Sequence, residues 1–284
     1  MEQTHKYHTH LEKKTGWFDI NLKEVWQYRD LIWLFTKRSF VVRYKQTVLG
    51  PLWAIIQPLL TTLIHTLVFG GIAGISTDGV PQILFYMAGN VVWSFFAACL
   101  NGTATTFTGN AAVFGKVYFP RLVSPISTVI FSILNFLIQL AMFLVFWIYY
   151  LVIGGISPNY AGIAMLPVIV IYVGLLGMGF GIIVSSLTTK YRDLTMLVGF
   201  GVQLWMYITP VVYPISELRK GGGLYTLMML NPVTCAVETF RWAFLGEGVF
   251  SPMYWGISAG IMALVMFIGV IIFSKVEKTF MDTV

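Results

Sequence analysis

Arg43-Tyr44-Lys45-Gln46-Thr47-Val48-Leu49-Gly50-Pro51-Leu52-Trp53, continuing to Gln57-Pro58-Leu59-Leu60, is where this chain changes character. Before it the sequence is charged and basic. After it no Asp, Glu, Lys or Arg occurs until Asp78, so residues 46–77 form an uncharged run of 32. About 20 apolar residues suffice to cross a bilayer core. Pro51 has the fixed φ of a first helical turn, where its missing N–H costs nothing. The junction therefore predicts a membrane helix starting near Gly50-Pro51. Arg43 and Lys45 then lie at the lipid headgroups on the cytoplasmic side, where basic residues flank a first span.

Composition extends that reading to the whole chain. Of 284 residues 57% are hydrophobic and only 11% charged, against about 25% charged in soluble domains. A polytopic membrane protein is the class that fits. The net charge of +6 does not indicate a nucleic-acid binder, because the charges sit beside hydrophobic spans. The first 16 residues are hydrophilic and lack the apolar core of a secretory signal, which predicts a cytoplasmic N-terminus. His5, His8 and His10 fit an incidental tail better than a metal site, and no metal is expected. Cys99 falls within a span and Cys235 outside the membrane core, which disfavours a disulfide between them.

Residues 17–49 read as an amphipathic interface helix. Leu31, Leu34, Phe35, Val41 and Val42 form its apolar stripe, Lys37, Arg38, Arg43 and Lys45 its basic component, and Trp26 and Trp33 suit the headgroup layer. Residues 50–284 read as a transmembrane domain, with the first span at about 51–73. The uncharged run Gly79–Gly115 holds a second at about 82–105. Residues 122–189, 68 without a charge, must break at Gly154-Gly155-Ile156-Ser157-Pro158-Asn159, giving spans at about 123–152 and 163–187. A fifth follows at about 195–214 and a sixth at about 253–274. Between these two, the apolar piece Leu224–Val237 is too short to cross and contains Asn231-Pro232, which predicts a re-entrant or interfacial hairpin. The fold class is thus all-α with six transmembrane helices. Lysine and arginine divide 15 to three between the two faces, with both termini on the basic, cytoplasmic side.

The predicted spans hold no Asp, Glu, Lys or Arg, which argues against ion-coupled carriers and carboxylate-metal enzymes. His65 inside the first span reads as a packed residue rather than a proton relay. The nearest approach to a phosphate loop, Gly109 to Lys116, has one residue too many between its glycines. It also carries Val117 where a magnesium-binding hydroxyl would stand. This chain is therefore not expected to hydrolyse ATP, and no cofactor is expected in it. Gly174, Gly177, Gly179 and Gly181 permit close helix approach in the fourth span.

The Arg-Tyr-Lys-Gln, Leu-Gly-Pro-Leu-Trp and Gln-Pro-Leu-Leu sequence of residues 43–60 resembles the start of membrane subunits of bacterial ABC exporters for lipid-linked polysaccharides, the permeases for O-antigen, teichoic acid and some capsules. The resemblance implies a homodimer in the bacterial cytoplasmic membrane, bound to two copies of an ABC ATP-binding subunit that carries the ATP and Mg. It implies a substrate on a polyprenyl pyrophosphate lipid, for which Arg43, Tyr44 and Lys45 are candidate ligands; ordinary charge anchoring explains the same cations. It implies that short cytoplasmic elements dock on the ATPase. Lys116, Tyr118, Phe119 and Arg121 in one loop and Tyr191, Arg192 and Asp193 in another are the candidates, and a plain inter-span turn is the alternative. It also favours an aromatic-lined path for sugars, with Trp93, Phe95, Phe96, Phe131, Trp147, Trp205 and Tyr207 as candidates, though core packing and lipid contact use the same residues. An exporter of a drug or simple lipid, or a non-transporting scaffold for polysaccharide synthesis, are rival functions at this level.

Overall fold

A computed structural model describes residues 22–45, 50–191 and 193–283, and the regular structure among them is entirely helical. Two helices precede the first long one: α1 (Leu22–Gln27) and α2 (Arg29–Tyr44). The chain then passes a 3-10 turn at Gly50–Leu52 into α3 (Trp53–His65), which runs on as π-helical turns over Thr66–Ile72. There follow α4 (Gln82–Ala104), α5 (Thr106–Phe114), α6 (Val123–Ile153), the single turn α7 (Tyr160–Ile163) and α8 (Leu166–Thr188). Last come α9 (Leu194–Ile208), the short pair α10 (Gly223–Leu230) and α11 (Pro232–Leu245), and α12 (Pro252–Thr283).

Among the described residues, five helical stretches are long and apolar enough to cross a membrane: 53–72, 82–104, 123–153, 166–188 and 252–277. The sixth expected span differs. α9 stops at Ile208, six residues before the expected end at 214, because Thr209 takes an extended backbone (φ −93°, ψ 137°). That is the conformation favoured before a proline, here Pro210. Fifteen residues of α-helix reach about 22 Å, short of a hydrocarbon core of about 30 Å. α12 departs the other way, running 32 residues and well past 274.

Helix directions follow from the side-chain pairs. α4 and α8 lie parallel at the centre. A Cβ on Gly177 would meet Cys99 Cβ at 2.6 Å and Phe96 O at 3.0 Å, and one on Gly181 would meet Leu100 O at 2.7 Å and collide with the Thr103 hydroxyl. These glycines let the two backbones touch, and the core of buried apolar residues forms around this seam. α6 runs antiparallel to α4, as Phe95 packs on Phe136 (5.0 Å) and Gly102 faces Thr128. α3 also runs antiparallel to α4, with Asn90 Nδ2 donating to Thr62 Oγ1 (3.2 Å) and Gly70 close to Gln82. α12 is parallel to α8: Tyr172 meets Trp255 at 5.0 Å, and a Cβ on Gly269 would meet Gly179 O at 3.0 Å. α2 climbs along the first turns of α6, with the Thr36 hydroxyl on Ser127 O (3.3 Å) and the Tyr44 hydroxyl on Asn135 Oδ1. It packs against the bundle as well as presenting Trp33, Leu34 and Val42 outward, as α1 does Trp26.

Candidate functional site

Because α4 and α8 are parallel, α5 and the turn after α8 fall at one end of the bundle. Serine and threonine concentrate there, and Phe107 N donates to Ser185 Oγ at 3.2 Å. α5 packs its Phe107 on Phe273 of α12 (4.5 Å, stacked) and its Phe114 on Phe119 (5.5 Å). The loop that follows is split by exposure. Lys116 and Tyr118 face outward, Tyr118 at 73% exposure. Phe119 is 4% exposed and wedged edge-on against Phe35 of α2 at 5.5 Å. Arg121 lies against the Phe114 ring (5.5 Å), its backbone N–H bonds Glu277 Oε1 (3.2 Å), and its guanidinium reaches the Glu277 carbonyl. Burial lowers the Arg121 pKa from its ordinary value, and the Glu277 charge opposes that shift. Phe119 and Arg121, expected as docking residues, contact α2 and α12. Tyr191 and Asp193 are exposed, and Lys190 Nζ sits 5.2 Å from the Tyr191 ring; Arg192 lies outside the described residues.

At the foot of α3 the expected triad is also divided. Arg43 and Lys45 are exposed, and the Arg43 guanidinium carbon stands 5.8 Å from the ring of Phe131 on α6. Tyr44 is buried and gives its hydroxyl to Asn135. Burial raises its pKa, against the lowering effect of Arg43. Tyr44 therefore faces into the bundle and offers little surface to a ligand. Gln46, Thr47, Val48 and Leu49 lie outside the described residues.

The aromatic residues expected along a sugar path are mostly packed inside the protomer. Trp93, Phe95, Phe96 and Phe131 are buried within the protomer. Trp205 is half-buried on Phe96 (5.2 Å), Phe180 (5.1 Å) and Trp93 (6.5 Å). Trp147 donates its indole N–H to Phe244 O (2.6 Å). Of the seven candidates only Tyr207, at 53% exposure, is a surface residue. It lies on α9, whose Met196, Leu197, Phe200, Leu204 and Ile208 are also exposed.

The opposite end holds charges that the sequence reading did not pair. Glu238 and Arg241 of α11 are each 1% exposed and bond at 3.1 Å, one helical turn apart. Arg241 donates Nη1 to Pro210 O and Nη2 to Val211 O, both at 2.6 Å, and its guanidinium lies 3.7 Å from the Phe85 ring centroid. Glu238 Oε2 accepts from Val249 N at 3.2 Å. The pair thus ties the turn leaving α9 and the loop entering α12 to the same turn of α11. Asn231 caps that helix by accepting from Val233 N (3.2 Å), and Pro232 occupies its first turn. Gly89 of α4 gives the guanidinium room: a Cβ there would meet Arg241 Nη2 and Val211 O at 2.8 Å.

The sequence profile described as ABC-2 type transporter matches residues 30–245. The O-antigen export system permease protein RfbA of Klebsiella pneumoniae is 28% identical over 253 residues, 89% of this chain and 94% of that one. The RfbA of Myxococcus xanthus is 27% identical over 221 residues, 78% of this chain and 82% of that one. The polysialic acid transport protein KpsM of Escherichia coli is 24% identical over 220 residues, 75% of this chain and 81% of that one.

Proposed function

The chain belongs to the ABC-2 type transporter membrane family, and from that premise we propose that it is the membrane subunit of an ATP-driven exporter moving a lipid-linked polysaccharide, of O-antigen, teichoic acid or capsule type, across the bacterial cytoplasmic membrane. The observation that carries this reading is the near full-length likeness to proteins named as O-antigen export permeases. The chain works as a homodimer with two copies of an ATP-binding subunit, which supply ATP and magnesium. α9 is the sixth membrane element, completed by the turn that follows Thr209, and α10–α11 re-enter from the outer face. The 15-to-three charge split supports placing α5 and both termini in the cytoplasm.

In this reading Arg43 and Lys45 meet the pyrophosphate of the carrier lipid at the inner headgroup layer, and Tyr44 holds Arg43 in place through Asn135. Arginine grips phosphate oxygens with a two-pronged fork, whereas lysine is a point charge. Cells lacking the chain should accumulate lipid-linked polymer inside, and the parental chain should clear it. Arg43→Lys at parental abundance should clear it about tenfold more slowly, as a charge-assisted hydrogen bond contributes on the order of 1.5–3 kcal/mol. No accumulation in the deletion strain would sink the export reading. Full clearance by Arg43→Lys with limiting substrate would reduce Arg43 to an anchor.

Docking of the ATPase falls to the outward half of the 115–121 loop. Tyr118→Ala should leave the chain at normal abundance while lowering co-purification of the ATPase several-fold. Phe119→Ala, which empties an internal wedge, should lower the abundance of the chain itself. Identical behaviour of the two variants in a pull-down from solubilised membranes would refute the division.

A further inference from the structure

The clasp made by Glu238 and Arg241 joins Pro210-Val211, α11 and Val249 into one body. α11 is buried along nearly its whole length, so this body has little freedom within itself. Its link to the turn between α3 and α4 has another character. Ser216, just before α10, donates its hydroxyl to both carboxylate oxygens of Asp78, at 2.7 and 2.8 Å, and this contact is only part-buried. The turn is shaped to offer that carboxylate. Asp78 sits in the left-handed region at φ 54°, which a side chain adopts at a cost. Ser76 Oγ accepts its N–H at 3.3 Å, and Thr77 Oγ1 holds Val80 O at 2.6 Å.

The element leading into this turn is loosely held. Little of the α3 stretch is buried in the protomer, in contrast to α4. Its outer third is π-helical, a form found mostly as short insertions and frequently at functional sites. Gly74, at φ +63°, ends it with nothing packed where a Cβ would stand. Among the described residues, the hydrogen bonds tying that outer end to other elements are a long one from Gln82 Nε2 to Gly70 O (3.5 Å) and the Asp78–Ser216 pair, and the Asp78 charge also acts on Arg241 and Glu238.

We propose that Asp78 and Ser216 form a latch on the outer face, which holds the end of α3 against the α10–α11 body in the resting exporter and opens during each transport cycle. The proposal rests on the export reading for its cargo and on the outer placement of α10–α11 for its sidedness. The clasp is the rigid counterpart: it makes the body move as a whole, so the part-buried hydroxyl–carboxylate contact is where the two sides separate.

The test replaces both residues, Asp78→Cys with Ser216→Cys, in the full chain with its ATPase. A membrane-impermeant bis-methanethiosulfonate of short span is applied to intact spheroplasts. The native Cys99 and Cys235 are buried, and the treated parental chain is the control. Bridging should lower export at least tenfold, and reduction with dithiothreitol should restore it. Export at an unchanged rate with the bridge fully formed would overturn the latch. A second measurement does not depend on the cargo. Bridge yield in ATP-energised membranes should fall at least about fivefold below that in ATP-depleted ones, and equal yields would overturn the latch even if polymer proved not to be the substrate. A parental chain that exports no polymer, combined with an ATP-dependent bridge, would refute the export reading and leave the latch standing.

Discussion

Arg241→Ala should leave almost no folded protein in the membrane. The guanidinium has three acceptors and an aromatic face, all in a region closed to solvent. Removing one partner of a buried ion pair costs about 3–5 kcal/mol, because the survivor stays behind uncompensated. That is a large part of the roughly 5–15 kcal/mol that holds a domain together. Here two backbone carbonyls are orphaned as well. Glu238→Gln should cost less, since Arg241 keeps both carbonyls and the Phe85 ring. The pH dependence of Arg241→Ala supplies a signature. Burial already raises the Glu238 carboxyl from its ordinary value of 4.5, and Arg241 is the largest influence pulling it back. Without Arg241 the folded state favours the protonated acid. The variant should therefore be least unstable below the unfolded pKa and lose stability as pH rises through the folded one, a trend steeper than in the parental chain, where Arg241 holds the shift back. Thermal unfolding of detergent-purified protein, followed by size-exclusion fluorescence, measures this. An Arg241→Ala chain that is monodisperse at parental yield would show the clasp to be dispensable.

Gly181→Val should be the most damaging single change in the long helices. A Cβ at 181 would overlap the Thr103 hydroxyl and stand 2.7 Å from the Leu100 carbonyl, which is backbone and cannot swing away. The parallel α4–α8 seam must then open, and with it the core. Overpacking typically costs 1–3 kcal/mol, with a backbone obstacle at about the upper end. Gly199 is the internal comparison, since nothing lies within 4 Å of its Cβ position in the middle of α9. There Gly199→Ala should be neutral or stabilising by up to about 1 kcal/mol through helix propensity alone. The opposite signs are the point of the comparison. Equal melting temperatures for Gly181→Ala and Gly199→Ala would remove the argument for backbone contact between α4 and α8.

The long helices were legible in the sequence because the bilayer enforces uncharged runs, and turn clusters such as Gly154 to Asn159 mark where a run must fold back. The end of α9 was also within reach, since Pro210 constrains Thr209 in any sequence. The orientation of aromatic residues was not. α4 is buried on nearly all sides, so Trp93, Phe95 and Phe96 carry no one-sided pattern from which a facing could be read. Exposure in a lipid bilayer favours the same apolar residues as burial does, which removes the contrast that reveals the core of a soluble protein. Tyr44 and Phe119 looked like surface groups because they neighbour cations; their inward contacts to Asn135 and Phe35 come from distant helices. Glu238 and Arg241 gave a usable signal that was passed over. Opposite charges three apart, just after a capped Asn231-Pro232 start, face each other on a helix. The Asp78–Ser216 contact joins two turns far apart in the chain and leaves no local trace.

The space left at Gly89 has an evolutionary consequence. Arg241 Nη2 and Val211 O fill the volume that any side chain at 89 would need. The two positions, remote in sequence, are therefore a single choice for any descendant of this chain. A lineage that places alanine at 89 must first shed the arginine, and one that sheds the arginine must neutralise the glutamate. Losing the arginine while the glutamate is still charged crosses a poorly folded intermediate, so departures from the arrangement should begin at 238 and reach 241 and then 89 afterwards.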